Sequence, residues 1–235
     1  MSLAWLPIGT AFTLGFLHAL EVDHMVAVGA FVSSRPNLAT ALRFGLRWGV
    51  GHSLAVFVAG AILLAFGIHW PEHYDAWGEA AVGVMLIGVG AWAIRGARKL
   101  HFHSATQHGD HAHLHTHKTG TVSHDHTALA SAATAHSHRR GVTLVGLAHG
   151  LAGTSSVVAL VPVTVGGQPT GGVVYLIAFG VGTILAMMGF AMVAALAMKG
   201  AAGRSLSRTR LVGQWAGIAS ILVGAVWIYR ALSES

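Results

Sequence analysis

The sequence predicts an all-α membrane protein: six transmembrane helices, arranged as two inverted three-helix repeats and joined by a disordered His-rich cytoplasmic loop. Three observations carry this expectation. Only 9% of the 235 residues are charged and 54% are hydrophobic, whereas an ordinary soluble domain has roughly 25% charged residues. The apolar residues form unbroken runs rather than amphipathic stripes, and the mean hydropathy of +0.62 describes a chain solvated mostly by lipid. Finally, the Lys and Arg residues gather in alternate connections between those runs.

Crossing about 30 Å of hydrocarbon takes about 20 helical residues. Six runs qualify, at approximately 4 to 32, 44 to 67, 76 to 95, 142 to 164, 172 to 198 and 211 to 230. Gly, Pro and charge clusters separate them. The first run is long enough to tilt or to contain a break, and it also holds His18, Glu21, Asp23 and His24. Its start, MSLAWLPIGTAF, lacks the positive flank of a secretory signal, so it is expected to remain as the first helix.

Orientation follows from the basic residues. Arg35, Arg43 and Arg47 surround the first connection, Arg95, Arg98, Lys99, Lys118, Arg139 and Arg140 the third, and Lys199, Arg204, Arg208 and Arg210 the fifth. The positive-inside rule places these on the cytoplasmic side of the inner membrane and both termini outside. The net charge of +6 is thereby a topology signal; no basic and aromatic surface of the kind that binds nucleic acid is present. Without cysteine there are neither disulfides nor thiolate ligands.

The two halves resemble each other. GFLHAL from Gly15 matches GLAHGL from Gly146, and WGVGHSLAV from Trp48 matches FGVGTILAM from Phe179, both pairs at one common offset. IGVGAWAIR from Ile87 matches LVGAVWIYR from Leu222 at a slightly larger offset, a small insertion in the second half. Three spans per repeat require opposite orientations, the inverted arrangement whose sites lie near the midplane; chance likeness among Gly- and Ala-rich helices is the competing explanation. The expected organisation is a first repeat over 1–99, a linker over 100–140 and a second repeat over 141–235. Residues 101 to 138 hold eleven of the seventeen histidines. No apolar period is evident there, so the linker reads as disordered and able to bind metal, with His111, His113, His115 and His117 as accessory ligands.

The sharpest local signal is HALEVDH, where His18, Asp23 and His24 follow the spacing H-x4-D-H beside Glu21. Ionisable groups at membrane depth are expensive, so four in one span point to function; mutual pairing that only fixes helix packing is the alternative. On a regular helix His18 and His24 stand about 120° and about 9 Å apart, too far to chelate one ion. Either the span unwinds there, or the residues act on successive ions or in different conformations. Glu21, three residues from both histidines, can orient either ring. From facing helices, His52 in GVGHS is the leading further ligand, because imidazoles beside a carboxylate suit nickel, cobalt or zinc. His149, the repeat mate of His18, is a pathway residue or a backbone partner. Thr154, Ser155 and Ser156 are weak oxygen donors or helix glue, and Met187, Met188 and Met192 are packing residues.

At HALEVDH, GHS, HGLAG and the His-rich connection, the sequence resembles the nickel/cobalt transporter family, particularly its short six-helix urease-associated permeases. The resemblance implies a permease for Ni2+ or Co2+, carried as substrate rather than as a resident cofactor, with selectivity residues at His18, Asp23, His24 and His52. Uptake is favoured; related resistance proteins with this spacing export metal, so the opposite direction stays open. Cytoplasmic nickel chaperones are the expected protein partners. No G-x4-GK[ST] nucleotide motif is present, so an ion gradient, membrane potential or trapping must drive flux. A rival reading is a membrane-anchored accessory protein that stores nickel in its linker. No nucleophile and base arrangement suggests an enzyme.

Overall fold

The computed structural model describes residues 5–34, 37–67, 73–98, 100–103, 113–116, 132–152, 169–202 and 206–233. Among the described residues, seven α-helices span Trp5–His18 (α1), Val22–Ser34 (α2), Leu38–Phe66 (α3), His73–Arg98 (α4), Ala132–Ala152 (α5), Pro169–Ala202 (α6) and Leu206–Ser233 (α7), with short strands at Leu100–His103 (β1) and His113–Thr116 (β2). Helix α3 shows how its ends are set. Asn37 caps it by accepting from the Thr40 amide at 3.0 Å, and Gly67 ends it in the left-handed region at φ 63°, its amide donating to the Leu63 carbonyl.

Helices α3, α4, α6 and α7 are each long and apolar enough to cross a membrane, and the bent pair α1–α2 qualifies as a fifth span. This multi-pass architecture is coarser than the six spans expected. The expected fourth span, 142 to 164, is represented by the apolar helix Gly141–Ala152, and its remainder lies outside the described residues. The first run is broken rather than continuous, with α1 and α2 meeting at 56°.

Helix α4 lies along α7, α3 along α5 and α6, and α1 along α6. Small residues permit these approaches. A side chain at Gly15 would collide with the Phe179 carbonyl and one at Gly182 with that of Phe12; likewise Gly51 faces the Thr143 carbonyl and Gly146 that of Trp48. Gly83 and Gly224 abut one another on α4 and α7, as do Gly90 and Gly217. A buried core of Val28, Val32, Phe44, Trp48, Leu86 and Met187 ties α2, α3, α4 and α6 together, which agrees with a packing role for Met187. Large apolar side chains such as Leu6, Val84, Ile177 and Leu211 face outward, as in a lipid-solvated bundle.

The expectation of a linker without regular structure is corrected at three places. β1 and β2 pair antiparallel, with His101 opposite His115 and His103 opposite His113, and α5 begins at Ala132. The physical reasons are a period-two alternation in LHFH and HLHT and the high helix propensity of the alanines from 132. His111 and His117 lie outside the described residues.

Candidate metal centre

The centre begins where α1 stops. The last turn tightens, with the Leu20 amide on the Leu17 carbonyl at 2.9 Å and the Glu21 amide on the His18 carbonyl at 3.0 Å. Helix α2 restarts with Asp23 in its first turn, where a carboxylate is favoured by the helix dipole; its Oδ1 accepts from the His24 amide at 2.8 Å. Unwinding removes the separation an intact helix would impose, and the rings of His18 and His24 stand 4.8 Å apart.

Two other helices complete the cluster. His52 on α3 places its ring 5.3 Å from His18 and 5.0 Å from His24. His149, near the end of α5, stacks on His24 at 4.2 Å. The four imidazoles and Asp23 are all buried. Two groups of donors result, His18–His24–His52 and Asp23–His24–His149, and within each group one ligand atom of every residue lies within 4.8 Å of the others. Nitrogens sit about 2.0–2.1 Å from a bound divalent ion such as zinc, so closure by a fraction of an ångström to about an ångström suffices.

Hydrogen bonds fix which nitrogens are available. Asp23 bridges two rings, with Oδ1 2.9 Å from His24 Nδ1 and Oδ2 2.9 Å from His149 Nε2. Glu21 Oε1 lies 3.0 Å from His18 Nδ1. An ionised carboxylate only accepts, so each of these three ring nitrogens carries the proton. The opposite nitrogens, Nε2 of His18, Nε2 of His24 and Nδ1 of His149, are buried without a partner among the described residues, as are both nitrogens of His52. Leaving such groups unsatisfied costs about 1–3 kcal/mol each. Carboxylates behind the rings, lone pairs in front and an apolar surround are the usual construction of a metal site.

His18, Asp23, His24, His52, Glu21 and His149 are thus brought together. The Glu21 carboxylate bonds the ring of His18 and not that of His24, whose Nδ1 Asp23 takes, and it stays exposed. Thr154, Ser155 and Ser156 lie outside the described residues. Sequence reasoning missed Trp48 and Phe179, whose rings lie 5.7 Å from His149 and 5.6 Å from His18. It also missed Thr183, buried and hydrogen-bonded through Oγ1 to the Gly15 carbonyl at 3.1 Å. All three fall within the matched stretches WGVGHSLAV and FGVGTILAM, which was the available signal. Trp48 also lines an apolar cavity of about 280 Å³ with Phe31, Phe44, Trp92, Val142 and Val145.

Among known proteins, the chain is 28% identical over 179 residues to the urease accessory protein UreH of Bacillus sp. (strain TB-90), covering 76% of this chain and 72% of the relative. It is 26% identical over 234 residues to a protein of Methanocaldococcus jannaschii named as a putative nickel/cobalt efflux system, covering 96% of this chain and 93% of the relative. A third likeness, to the chloroplast protein FOR GROWTH AND FERTILITY 1 of Arabidopsis thaliana, is 32% over 94 residues and covers 39% of this chain and 25% of that one. No family model matches the chain, and no solved structure matches it.

Proposed function

We propose that the protein is a permease for a divalent transition metal, Ni2+ first and Co2+ second, which carries the ion through the membrane at the His18–Asp23–His24–His52 cluster. The observation that carries this reading is the convergence of unpartnered nitrogens from His18, His24 and His52 at the break of an apolar span. Such groups are expensive at membrane depth, and a scaffold has no use for them. Imidazole nitrogens suit Ni2+ and Co2+, and the absence of thiolate disfavours Cu(I). The protein is read as a carrier and not an enzyme.

The contact pattern of the helices supports two inverted repeats. The offset that carries His18 onto His149 also turns Gly15 against Phe179 into Gly146 against Trp48, and Gly51 against Thr143 into Gly182 against Phe12. On α4 and α7, the offset that carries Gly83 onto Gly217 also carries Gly90 onto Gly224, contacts included. The sequence match of Ile87 with Leu222 differs from this contact register by a single position. Two such halves can rock about a shared site, so alternating access is the mechanism that fits. Neutral imidazole binds metal only in competition with protons, which makes an opposing proton gradient the natural coupling.

The basic connections favour an orientation with 100–140 in the cytoplasm and both termini outside, and the resemblance to urease-associated nickel permeases favours uptake. A name given to one relative, nickel/cobalt efflux system, favours export as the second reading. Proteoliposomes decide both questions. Saturable 63Ni2+ flux of either sign supports the permease, and no flux of Ni2+, Co2+, Zn2+ or Mn2+ under any imposed gradient sinks it. For orientation, an impermeant thiol reagent on intact cells should label His73→Cys and not Gly120→Cys; the reverse pattern overturns the topology.

A further inference from the structure

The cluster offers an ion two overlapping seats, and the second has no role in the reading so far. Resting on that reading, we infer that an ion first held by His18, His24 and His52 is handed to Asp23, His24 and His149, passing from Nε2 to Nδ1 of the shared His24 ring.

Three independent observations lead there. Both donor groups exist in one structure and share His24 alone. Of the remaining members, His18, Asp23 and His52 lie on α1, α2 and α3 of the first half and His149 on α5 of the second. Finally, His18 and His149 occupy equivalent positions of the two matched stretches, and each is backed by an aromatic ring from the opposite half. Phe179 lies against His18 at 5.6 Å and Trp48 against His149 at 5.7 Å. Phe179 and Trp48 are themselves equivalent under the same offset. If opposite halves face opposite sides of the membrane, His18 belongs to one access route and His149 to the other.

The second seat differs chemically from the first. The repeat mate of His52 is Thr183, whose hydroxyl is engaged with the Gly15 and Phe179 carbonyls at 3.1 Å each, so a third nitrogen is missing there and Asp23 supplies an oxygen instead. An ion entering this seat takes the place of the ring hydrogens that now join Asp23 to His24 and His149. The protons it displaces from His24 Nδ1 and His149 Nε2 leave to water, and each ring regains one from water on its other nitrogen, His24 Nε2 once the ion has left it and His149 Nδ1, both of which are buried without a partner among the described residues. A three-nitrogen seat thus passes its ion to a seat with two nitrogens and one carboxylate, and His24 belongs to both seats through opposite ring nitrogens.

The test is a pair of variants at His149 in the full-length protein, measured for equilibrium Ni2+ binding in detergent and for Ni2+ flux in proteoliposomes. His149→Ala should bind Ni2+ within about threefold of wild type, because the first seat is intact, and should lose flux at least tenfold. His149→Gln should be equally slow. Its amide can still donate to Asp23 but is a poor ligand, so recovery of flux in this variant would show that His149 only positions Asp23, overturning the hand-off. Wild-type flux in His149→Ala also overturns it, as does loss of binding in a well-folded His149→Ala protein, which would make all five residues one seat. Co2+ bound to a His18→Ala/His52→Ala protein should show carboxylate oxygen in its X-ray absorption spectrum; an all-nitrogen shell contradicts the second seat. If wild type itself moves no metal, the permease reading fails before these comparisons begin.

Discussion

The histidines around the bend between α1 and α2 and the histidines of the long connection after α4 offer the same imidazole to a metal ion from opposite starting points. At the bend, each ring is held before any ion arrives. Asp23 and Glu21 fix three of them by hydrogen bonds, and helix packing fixes the fourth, fully buried His52. Between 101 and 138 eleven histidines share only Asp110 and Asp125 as carboxylates that could orient their rings, and any ordering that binding has to supply weakens affinity per contact. The difference teaches that selectivity follows from preorganisation and not from the number of ligands: four buried imidazoles should outperform eleven in the connection.

The variant expected to separate the two regions most is Asp23→Asn. Asp23 holds two rings at once, and its amide replacement can accept from only one of them. Changing a group behind a metal ligand costs about 10- to 100-fold, and here one side chain backs two rings. Ni2+ flux in proteoliposomes should fall at least tenfold while the protein elutes as a single folded species. Normal flux in that variant would remove the cluster as the transport site.

A packing change should come next. At Gly146 an added methyl meets the Trp48 carbonyl, whereas at Gly29 it meets nothing within 4 Å. Gly146→Ala must push α5 from α3 and so move His149 from the cluster; overpacking of this kind costs about 1–3 kcal/mol. Thermal unfolding in detergent should show a clear loss for Gly146→Ala and little change for Gly29→Ala. Equal behaviour of the two would undo the account of how the helices position the centre.

Glu21→Gln should be milder, with flux reduced less than tenfold. Glu21 is exposed and its carboxylate bonds the ring of His18, and glutamine can still accept from that ring. A loss as deep as that of Asp23→Asn would place Glu21 among the ligands.

These effects also mark where the sequence was informative. Runs of apolar residues made the long helices legible, because lipid imposes one simple demand on composition. HALEVDH was legible as a cluster for the same reason. Its geometry was not, since LEVD contains neither Gly nor Pro to announce a break; the bend coincides with the Asp23 carboxylate in the first turn of α2 and with packing against distant helices. The link from Asp23 to His149 joins residues 126 apart in sequence, and no local pattern encodes it. The strand pairing in the connection was hidden by reading that segment by composition, although its histidines alternate with Leu and Phe.

The smallest change is expected in the connection itself, and it gives the most direct measurement. Residues 101 to 138 are replaced with a Gly/Ser linker, and 63Ni2+ flux in proteoliposomes is compared with that of full-length His24→Ala. Transport at the intramembrane cluster predicts saturable, metal-selective flux near the wild-type rate in the linker variant and none in His24→Ala. Flux lost in a folded, membrane-inserted linker variant but retained in His24→Ala would contradict the account and move the metal site to the connection.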